Sequence, residues 1–293
     1  MRLLVRTYDW YVPALQEEHV VQLLRPLMRT RTVLEPVRSP PETCARERRR
    51  RHAAPPSVPA RPHVTREFAT TRFGGFPTAE EGETWPLCDS CADDLTFVAQ
   101  VDHSRDGLHD RLPISFFTFF YCWNCHPWGR DSERGGWLVR SYTALRRPRV
   151  LVHGTEPDFE ERHAVPRLEK SLPDAVGMRL HCLELWDLVP GDSGSHEAWA
   201  NWHVVDRAAL GLTQERARAP HMRNAAVAIG GYPYWANGAD ETPVCTKCTL
   251  PMELLLQIPP SELTDAMWGD VGTLYLFMCR IHTHQTGLRI QCT

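Results

Sequence analysis

The sequence predicts an α+β protein built from two β-rich internal repeats with antiparallel sheets, each clamped by a zinc knuckle pair, plus an N-terminal helix. Three observations carry this prediction. The first is a cysteine ruler that occurs twice, Cys88-x2-Cys91-x30-Cys122-x2-Cys125 and Cys245-x2-Cys248-x30-Cys279-x2-His282, with every position displaced by 157 residues. The second is that the apolar runs between the ligands repeat as well. Leu95-Thr-Phe-Val-Ala-Gln-Val101 matches Met252-Glu-Leu-Leu-Leu-Gln-Ile258, with Gln100 and Gln257 in step, and Phe116–Tyr121 matches Thr273–Met278. The third is the helical spacing of Val20, Leu23, Leu24 and Leu27 near the N-terminus. Self-similarity over this length marks a duplication.

Taken along the chain, residues 11–27 read as the helix, with Pro26 blurring its end. Residues 36–63 are rich in Pro and Arg and nearly devoid of large apolar side chains, and read as an exposed loop or disordered linker. Four segments follow from this: an N-terminal helix and linker over 1–67, the first repeat over 68–140, a middle αβ segment over 141–225, and the second repeat over 226–293. The aromatic and branched runs inside each repeat, bounded by turn residues, read as paired strands. Phe73-Gly-Gly-Phe-Pro77 and Ile229-Gly-Gly-Tyr-Pro233 match at an offset of 156, and Pro86 and Pro243 return to 157, so one single-residue indel separates them. These Gly-Gly pairs read as turns at the entry to each repeat. Trp137–Tyr142, across the boundary of the first repeat and the middle segment, and Val150–His153 and Leu180–Trp186 within the middle segment read as strands. Residues 195–210 read as a helix with Ser195 as N-cap.

The chemistry of the ruler is metal ligation. A Cys-x2-Cys turn lets two thiolates face one ion, and two such turns form a closed structural zinc site. The predicted ligands are Cys88, Cys91, Cys122 and Cys125 at the first site, and Cys245, Cys248, Cys279 and His282 at the second, with His284 and Cys292 as alternatives to His282. A 30-residue gap leaves room for two strands and a loop, so each zinc would clamp the open end of a hairpin. The prediction is thus two structural zinc ions and no position open to substrate. No catalytic or other cofactor-binding residue is assigned.

Composition narrows the classes further. The net charge of −3 argues against a dedicated nucleic-acid binder. Residues 1–72 hold 14 Arg against 7 acidic residues, so the remainder carries −10. No apolar stretch reaches the length of a transmembrane helix, and the N-terminus is charged too soon for a secretory signal. Seven of the ten cysteines fall on the ruler, which favours a reducing cytoplasm over a disulfide framework.

Three further motifs have bland explanations. Gly191-Asp-Ser-Gly-Ser195 resembles the segment around a protease nucleophile, but lacks a matching histidine context and reads as a loop. Arg46-Glu-Arg-Arg-Arg-Arg51 reads as a solvated charge run. Asp102-His103 and Asp106-x2-His109-Asp110 set acids beside imidazoles in what reads as a polar, exposed loop.

Phe73–Pro77, Trp85-Pro86, Leu95–Asp102, Phe116–Tyr121, Leu172-Pro173, Ile229–Trp235, Leu254–Ile258 and Trp268-Gly-Asp-Val-Gly272 resemble the YwqG-like family of bacterial proteins of unknown function. The likeness covers residues 68–290 and implies an α+β fold with two β-rich repeats, here in a zinc-binding subgroup. Its setting beside secreted toxin systems implies an immunity or regulatory role. Cys245–Gln257 and Gly272–Cys279 are also similar to the programmed-cell-death-2-like family, dedicated chaperones for a ribosomal protein. That likeness implies a zinc-clamped β scaffold that binds another polypeptide. The expected function is therefore a non-enzymatic, cytoplasmic protein-binding scaffold whose partner is another protein, with neither nucleic acid nor membrane. The alternatives are a hydrolytic or redox enzyme with a metal or acid/His site, and nucleic-acid binding through the Arg-rich N-terminal segment.

Overall fold

The computed structural model describes residues 16–37, 70–103, 112–128, 135–173, 182, 184–185, 196–213, 226–237 and 240–292. Its elements in chain order are α1 (Glu17–Leu24), a 3-10 turn (Arg25–Leu27), β1 (Arg29–Pro36), β2 (Arg72–Phe73), β3 (Thr78–Glu80), β4 (Thr96–Asp102), β5 (Phe116–Tyr121), β6 (Trp137–Tyr142), β7 (Pro148–Val150), β8 (Arg162–Ser171), α2 (His196–Thr213), β9 (Val227–Gly230), β10 (Glu253–Ile258), β11 (Thr273–Met278) and β12 (Thr286–Gln291). The fold is mostly β, with two α-helices among the described residues. None of the helices is long and apolar enough to cross a membrane.

Ten strands form one antiparallel sheet in the order β12-β11-β10-β9-β1-β8-β2-β4-β5-β6, and β3 and β7 form a separate ribbon. The sheet curls until it nearly closes, so that both halves share one core. Val98, Ala99, Phe117, Phe119 and Tyr121 of one half meet Leu255, Leu256, Trp268, Leu274 and Leu276 of the other.

The order is symmetric about its centre. β2-β4-β5-β6 answers to β9-β10-β11-β12, and the strand leading each unit crosses over: β1 lies beside β9 and β8 beside β2. The registers show that the two leading strands are equivalent. Phe73 pairs with Arg162 as Ile229 pairs with Thr32, and Arg72 pairs with His163 as Ala228 pairs with Val33. Arg162 and Thr32 therefore hold matching places, 130 residues apart. β1 and β8 pair with each other over eight residues, and their partners Glu35 and Val165 share that separation, so this pair lies on the pseudo-two-fold axis.

Strands β4, β5, β10 and β11 are buried on both faces, which is why their sequences read as continuous apolar runs. Alternate residues face opposite ways. Phe117, Phe119 and Tyr121 enter the shared core, while Phe120 and Cys122 join an outer cluster with Cys88, Leu95 and Phe97. In the second repeat Leu274, Leu276 and Met278 turn inward, and Tyr275, Phe277 and Cys279 join Trp235, Cys245, Met252 and Leu254 outside. The β4–β5 register shifts between Phe97 and Ala99, and the β10–β11 register shifts between Leu254 and Leu256. This bulge sits at the same place in both copies. It lets Val98 and Ala99, and likewise Leu255 and Leu256, all join the core.

Several expectations are corrected by the structure. The helix starts at Glu17, residues 11–15 lie outside the described residues, and Pro26 sits in the 3-10 turn. Pro36 ends β1 and the Val37 N–H donates to the His163 carbonyl at 3.0 Å, so neither belongs to a linker; residues 38–63 lie outside the described residues. Of Val150–His153, only Val150 is in a strand. Glu184 and Leu185 are helical rather than extended, while the rest of Leu180–Trp186 apart from Cys182 lies outside the described residues. The second helix covers the expected segment and runs on to Thr213; Ser195 is outside the described residues. α1 and α2 pack Val20 and Leu24 against Val205 and Ala208.

Two glycines show how tightly the exchanged strands pass. At Gly74 (φ +63) an added Cβ would meet the Glu160 carbonyl oxygen at 2.3 Å, and at Gly231 (φ +74) it would meet Ser171 Oγ at 2.6 Å. Gly82 (φ +94) has nothing within 4 Å. Gly74→Ala is therefore expected to destabilise by roughly 2–4 kcal/mol, and Gly82→Ala by only about 1–2 kcal/mol from backbone strain. Equal shifts of the urea midpoint in the two variants would contradict the close passage at Gly74.

Candidate metal centres

Each knuckle is a tight turn that closes on itself. The Cys88 N–H donates to the Asp93 carbonyl at 2.7 Å and the Ala92 N–H to the Cys88 carbonyl at 2.9 Å; Cys245, Leu250 and Thr249 repeat the pattern at 2.9 and 2.8 Å. The residue after the second cysteine is left-handed in both copies, Ala92 at φ 62° and Thr249 at φ 59°. That strain is one that a non-glycine residue keeps only where surrounding structure holds it. The second knuckle follows β5 or β11 directly. Cys122 and Cys279 are buried, and their N–H groups bond the carbonyls of Gly136 and Gln285.

These turns bring the predicted residues into two groups. Cys88, Cys91, Cys122 and Cys125 form one, and Cys245, Cys248, Cys279 and His282 the other, with all ligand atoms in each group within 4.8 Å of one another. Cys88 Sγ lies 3.7 Å from Cys125 Sγ and Cys91 Sγ 3.6 Å from Cys122 Sγ. In the second group Cys248 Sγ is 3.6 Å from Cys279 Sγ, and His282 Nδ1 is 3.6 Å from Cys245 Sγ and 3.8 Å from Cys279 Sγ. A disulfide would require about 2.05 Å. A tetrahedral ion with metal–sulfur bonds of about 2.3 Å sets its thiolates about 3.8 Å apart. The donor set and the spacing therefore both fit a four-ligand metal site. His284 and Cys292 stand outside the second group: the His284 ring lies 6.1 Å from that of His282, and Cys292 Sγ reaches the Trp268 carbonyl.

Electrostatics points the same way. Burial pushes the Cys88 thiol up, but N–H groups of Cys91 and Ser90 and the thiols of Cys91 and Cys122 outweigh it and bring it down to about 7. Burial also acts on Cys245, and the N–H groups of Cys248 and Lys247, with the Cys279 and Cys248 thiols, bring it down to about 6. Cys125 is pushed up, first by its hydrogen bond with Cys91 and then by burial. A quartet that draws one thiol down and holds another up carries few negative charges until a cation neutralises the set. Backbone N–H groups stand ready on the sulfurs at matching positions, Ser90 on Cys88 and Lys247 on Cys245, both at 3.4 Å.

The first centre is tied to the middle of the protein in a way the second is not. Trp123, between Cys122 and Cys125, stacks on Trp268 at 5.2 Å and 23°. Its counterpart, Arg280, is exposed, as is Ile281. Gln100 and Gln257 stand out in the sequence only by their matched offset. Both are buried: Gln100 Oε1 accepts from the Thr78 N–H at 2.9 Å and Gln257 Oε1 from the Tyr234 N–H at 2.8 Å, latching each repeat's entry segment to its second strand. Of the acid–histidine pairs, Asp102 ends β4 and His103 is fully buried against the Phe117 ring, not in an exposed loop. Asp106, His109, Asp110, Gly191–Ser195 and Arg46–Arg51 lie outside the described residues. All nine described cysteines are free of disulfides.

Cys91→Ser and Cys248→Ser are each expected to remove metal from one quartet only and to destabilise by more than about 4 kcal/mol. Unchanged metal content and melting temperature would refute this. Ligation needs thiolates, so each quartet is expected to release its ion as the pH falls, at a pH below the metal-free values of the Cys88 and Cys245 thiols, because a bound cation holds the sulfurs deprotonated. A chelating dye added during an acid titration checks this, and metal retained without change on acidification would contradict thiolate ligation.

Comparison with curated proteins finds none that matches this chain. Residues 71–284 match the family model described as Domain of unknown function (DUF1963), a span that takes in both ligand quartets. The chain belongs to the DUF1963 family.

Proposed function

We propose that this chain is a YwqG-like, zinc-stabilised scaffold that binds another polypeptide. Zinc is the ion that best suits the ligands: thiolate-rich sets with a tetrahedral spacing are its preferred structural environment. With four protein ligands per site, no coordination position is left for water or substrate, so the metal serves folding rather than chemistry. Each quartet lies beyond the end of a hairpin, β4–β5 or β10–β11, and joins the outer apolar cluster of its repeat.

The observation that carries the binding role is the open sheet. Among the described residues β6 and β12 stand at the two ends of the strand order, each paired with one strand, and β6 is half-exposed along its whole length. A strand at the end of a sheet can add an extended polypeptide through main-chain hydrogen bonds. The immunity, regulatory and chaperone roles implied by resemblance share this chemistry.

Elemental mass spectrometry of protein purified without chelator is expected to find two zinc ions per chain. Iron, or one zinc with a free thiol quartet, would overturn the scaffold reading. A photocrosslinker in place of Ser141 on β6 is expected to capture a polypeptide in cells. Crosslinking to nucleic acid alone, or to nothing, would count against protein binding.

A further inference from the structure

The loop that carries the last two ligands of the first quartet reaches both ends of the sheet. Pro127 lies against Gly136, the residue before β6: a Cβ added at Gly136 would meet the Pro127 ring at 3.1 Å. The Tyr121 hydroxyl, at the end of β5, donates to the Pro127 carbonyl at 3.4 Å. On its other side the loop meets the turn at residues 268–272 in the second repeat. Trp123 stacks on Trp268, and Trp128 lies over Gly269, where an added Cβ would meet the Trp128 ring at 2.1 Å and Cys292 Sγ at 2.9 Å. Cys292 follows β12 directly, and its thiol donates to the Trp268 carbonyl at 3.5 Å. Residues 122–128 therefore span from the start of β6 to the end of β12, the two ends of the strand order.

Both sides of this contact hold left-handed residues other than glycine, His126 at φ 44° in the loop and Val271 at φ 53° in the turn. Val271 is β-branched and 56 % exposed, so burial of its own side chain does not offset the backbone strain. Inside the turn, the Gly272 N–H donates to the Trp268 carbonyl at 2.8 Å. A strained turn persists where its surroundings hold it, and here the surroundings include the two tryptophans of the first quartet's loop. Among the described residues the second quartet has no such reach. Arg280 stands at the place of Trp123 and is exposed. Gln285, three residues after His282 as Trp128 is after Cys125, accepts from the Thr246 hydroxyl at 2.6 Å within its own knuckle.

We propose that the first quartet and residues 122–128 form a metal-dependent clasp. An ion held there fixes the loop that presses Trp123 and Trp128 onto the turn at residues 268–272, and release of the ion lets the two ends of the sheet part. The second quartet stabilises its own hairpin and leaves this closure alone. The inference rests on the metal reading of the quartets and gives the first a regulatory duty beyond stability. Coupling of this kind is reciprocal: if the ion holds the clasp, the clasp holds the ion. A change confined to the turn in the second repeat therefore loosens metal in the first.

The test loads the full chain with cobalt(II) in place of zinc and titrates it with a chelator. A four-thiolate set and a set of three thiolates and one imidazole give different visible bands, so each quartet is read separately. Gly269→Ala drives a Cβ into the Trp128 ring. It is expected to lower cobalt affinity at the four-thiolate quartet by about tenfold and to leave the other within about twofold. Trp128→Ala, at a position 44 % exposed and outside the ligand set, should act in the same direction and speed hydrogen exchange at the Gly272 amide. It decides the question if Gly269→Ala does not fold. Unchanged affinity at the four-thiolate quartet in a folded variant overturns the clasp. Equal loosening at both quartets also overturns it, as a general loss of stability. Either result leaves the scaffold reading standing, whereas failure of the unaltered chain to take up cobalt overturns both.

Discussion

The pairing of β1 with β8 is the constraint on which the rest of the structure depends. Each of these strands leads one repeat in sequence and is built into the sheet of the other. Without the exchange, the duplicated halves would be two small sheets, each with a bare edge where its leading strand should be. With it, eight residues of antiparallel ladder join them, and the sheet can curl until its halves share a core. The join is specific as well as continuous. Arg31 and Glu169 face each other across it in register and form an ion pair at 2.9 Å with both side chains largely buried. A one-residue slip would leave that charge pair unmatched in a low-dielectric setting, a penalty of several kcal/mol.

The two quartets that could hold metal answer a different problem. A hairpin of two strands buried on both faces needs cover on its outer side, and the outer clusters are small. In the first repeat, Cys88, Leu95, Phe97, Phe120 and Cys122 make up the buried set among the described residues. Small cores are commonly reinforced by a crosslink or a metal. Here the ligands are themselves members of the cluster, so a bound ion would fix strand ends and cover at once. The two centres are equivalent in their knuckles but not in their reach. Trp123 carries the first into the shared core through Trp268, and Trp128 packs over Gly269 so closely that an added Cβ there would meet its ring at 2.1 Å. The second centre stays within its own repeat, beside Trp235.

Much of this was legible in the sequence, because duplication printed it twice. A matched offset of 157 picked out all eight residues that gather into the two quartets, and the runs around Gln100 and Gln257, together with Phe116–Tyr121 and Thr273–Met278, announced β4, β10, β5 and β11, because strands buried on both faces must be apolar throughout. The leading strands were not legible, for a physical reason. β1 opens with Arg29, Thr30, Arg31 and Thr32 and buries only two large apolar residues, Val33 and Leu34, too short a run to announce a strand. β8 exposes Val165, Pro166, Arg167 and Leu168 and shows neither a period of two nor an apolar run. Their places are set by the sheet around them, which is a long-range property. The choice among His282, His284 and Cys292 was likewise unreadable from spacing, since it depends on which ring nitrogen the turn after Cys279 delivers to the other sulfurs.

Where two copies of one unit differ, the difference marks where their tasks have separated. The knuckles, the glutamine latches, the bulges and the Gly-Gly turns persist in both, and each has a folding reason to do so. The outer faces do not persist. One is closed by a basic ribbon lying on acidic groups. The other has no described strand across it: Trp235 packs on Phe277 there, and Thr242, Ala236 and Pro251 stand at the places of Trp85, Glu80 and Asp94. There the outer cluster closes on itself, with Trp235 and Phe277 buried beside Tyr275, Met252 and Leu254 at the second quartet, so the second repeat covers its hairpin with side chains where the first uses a strand.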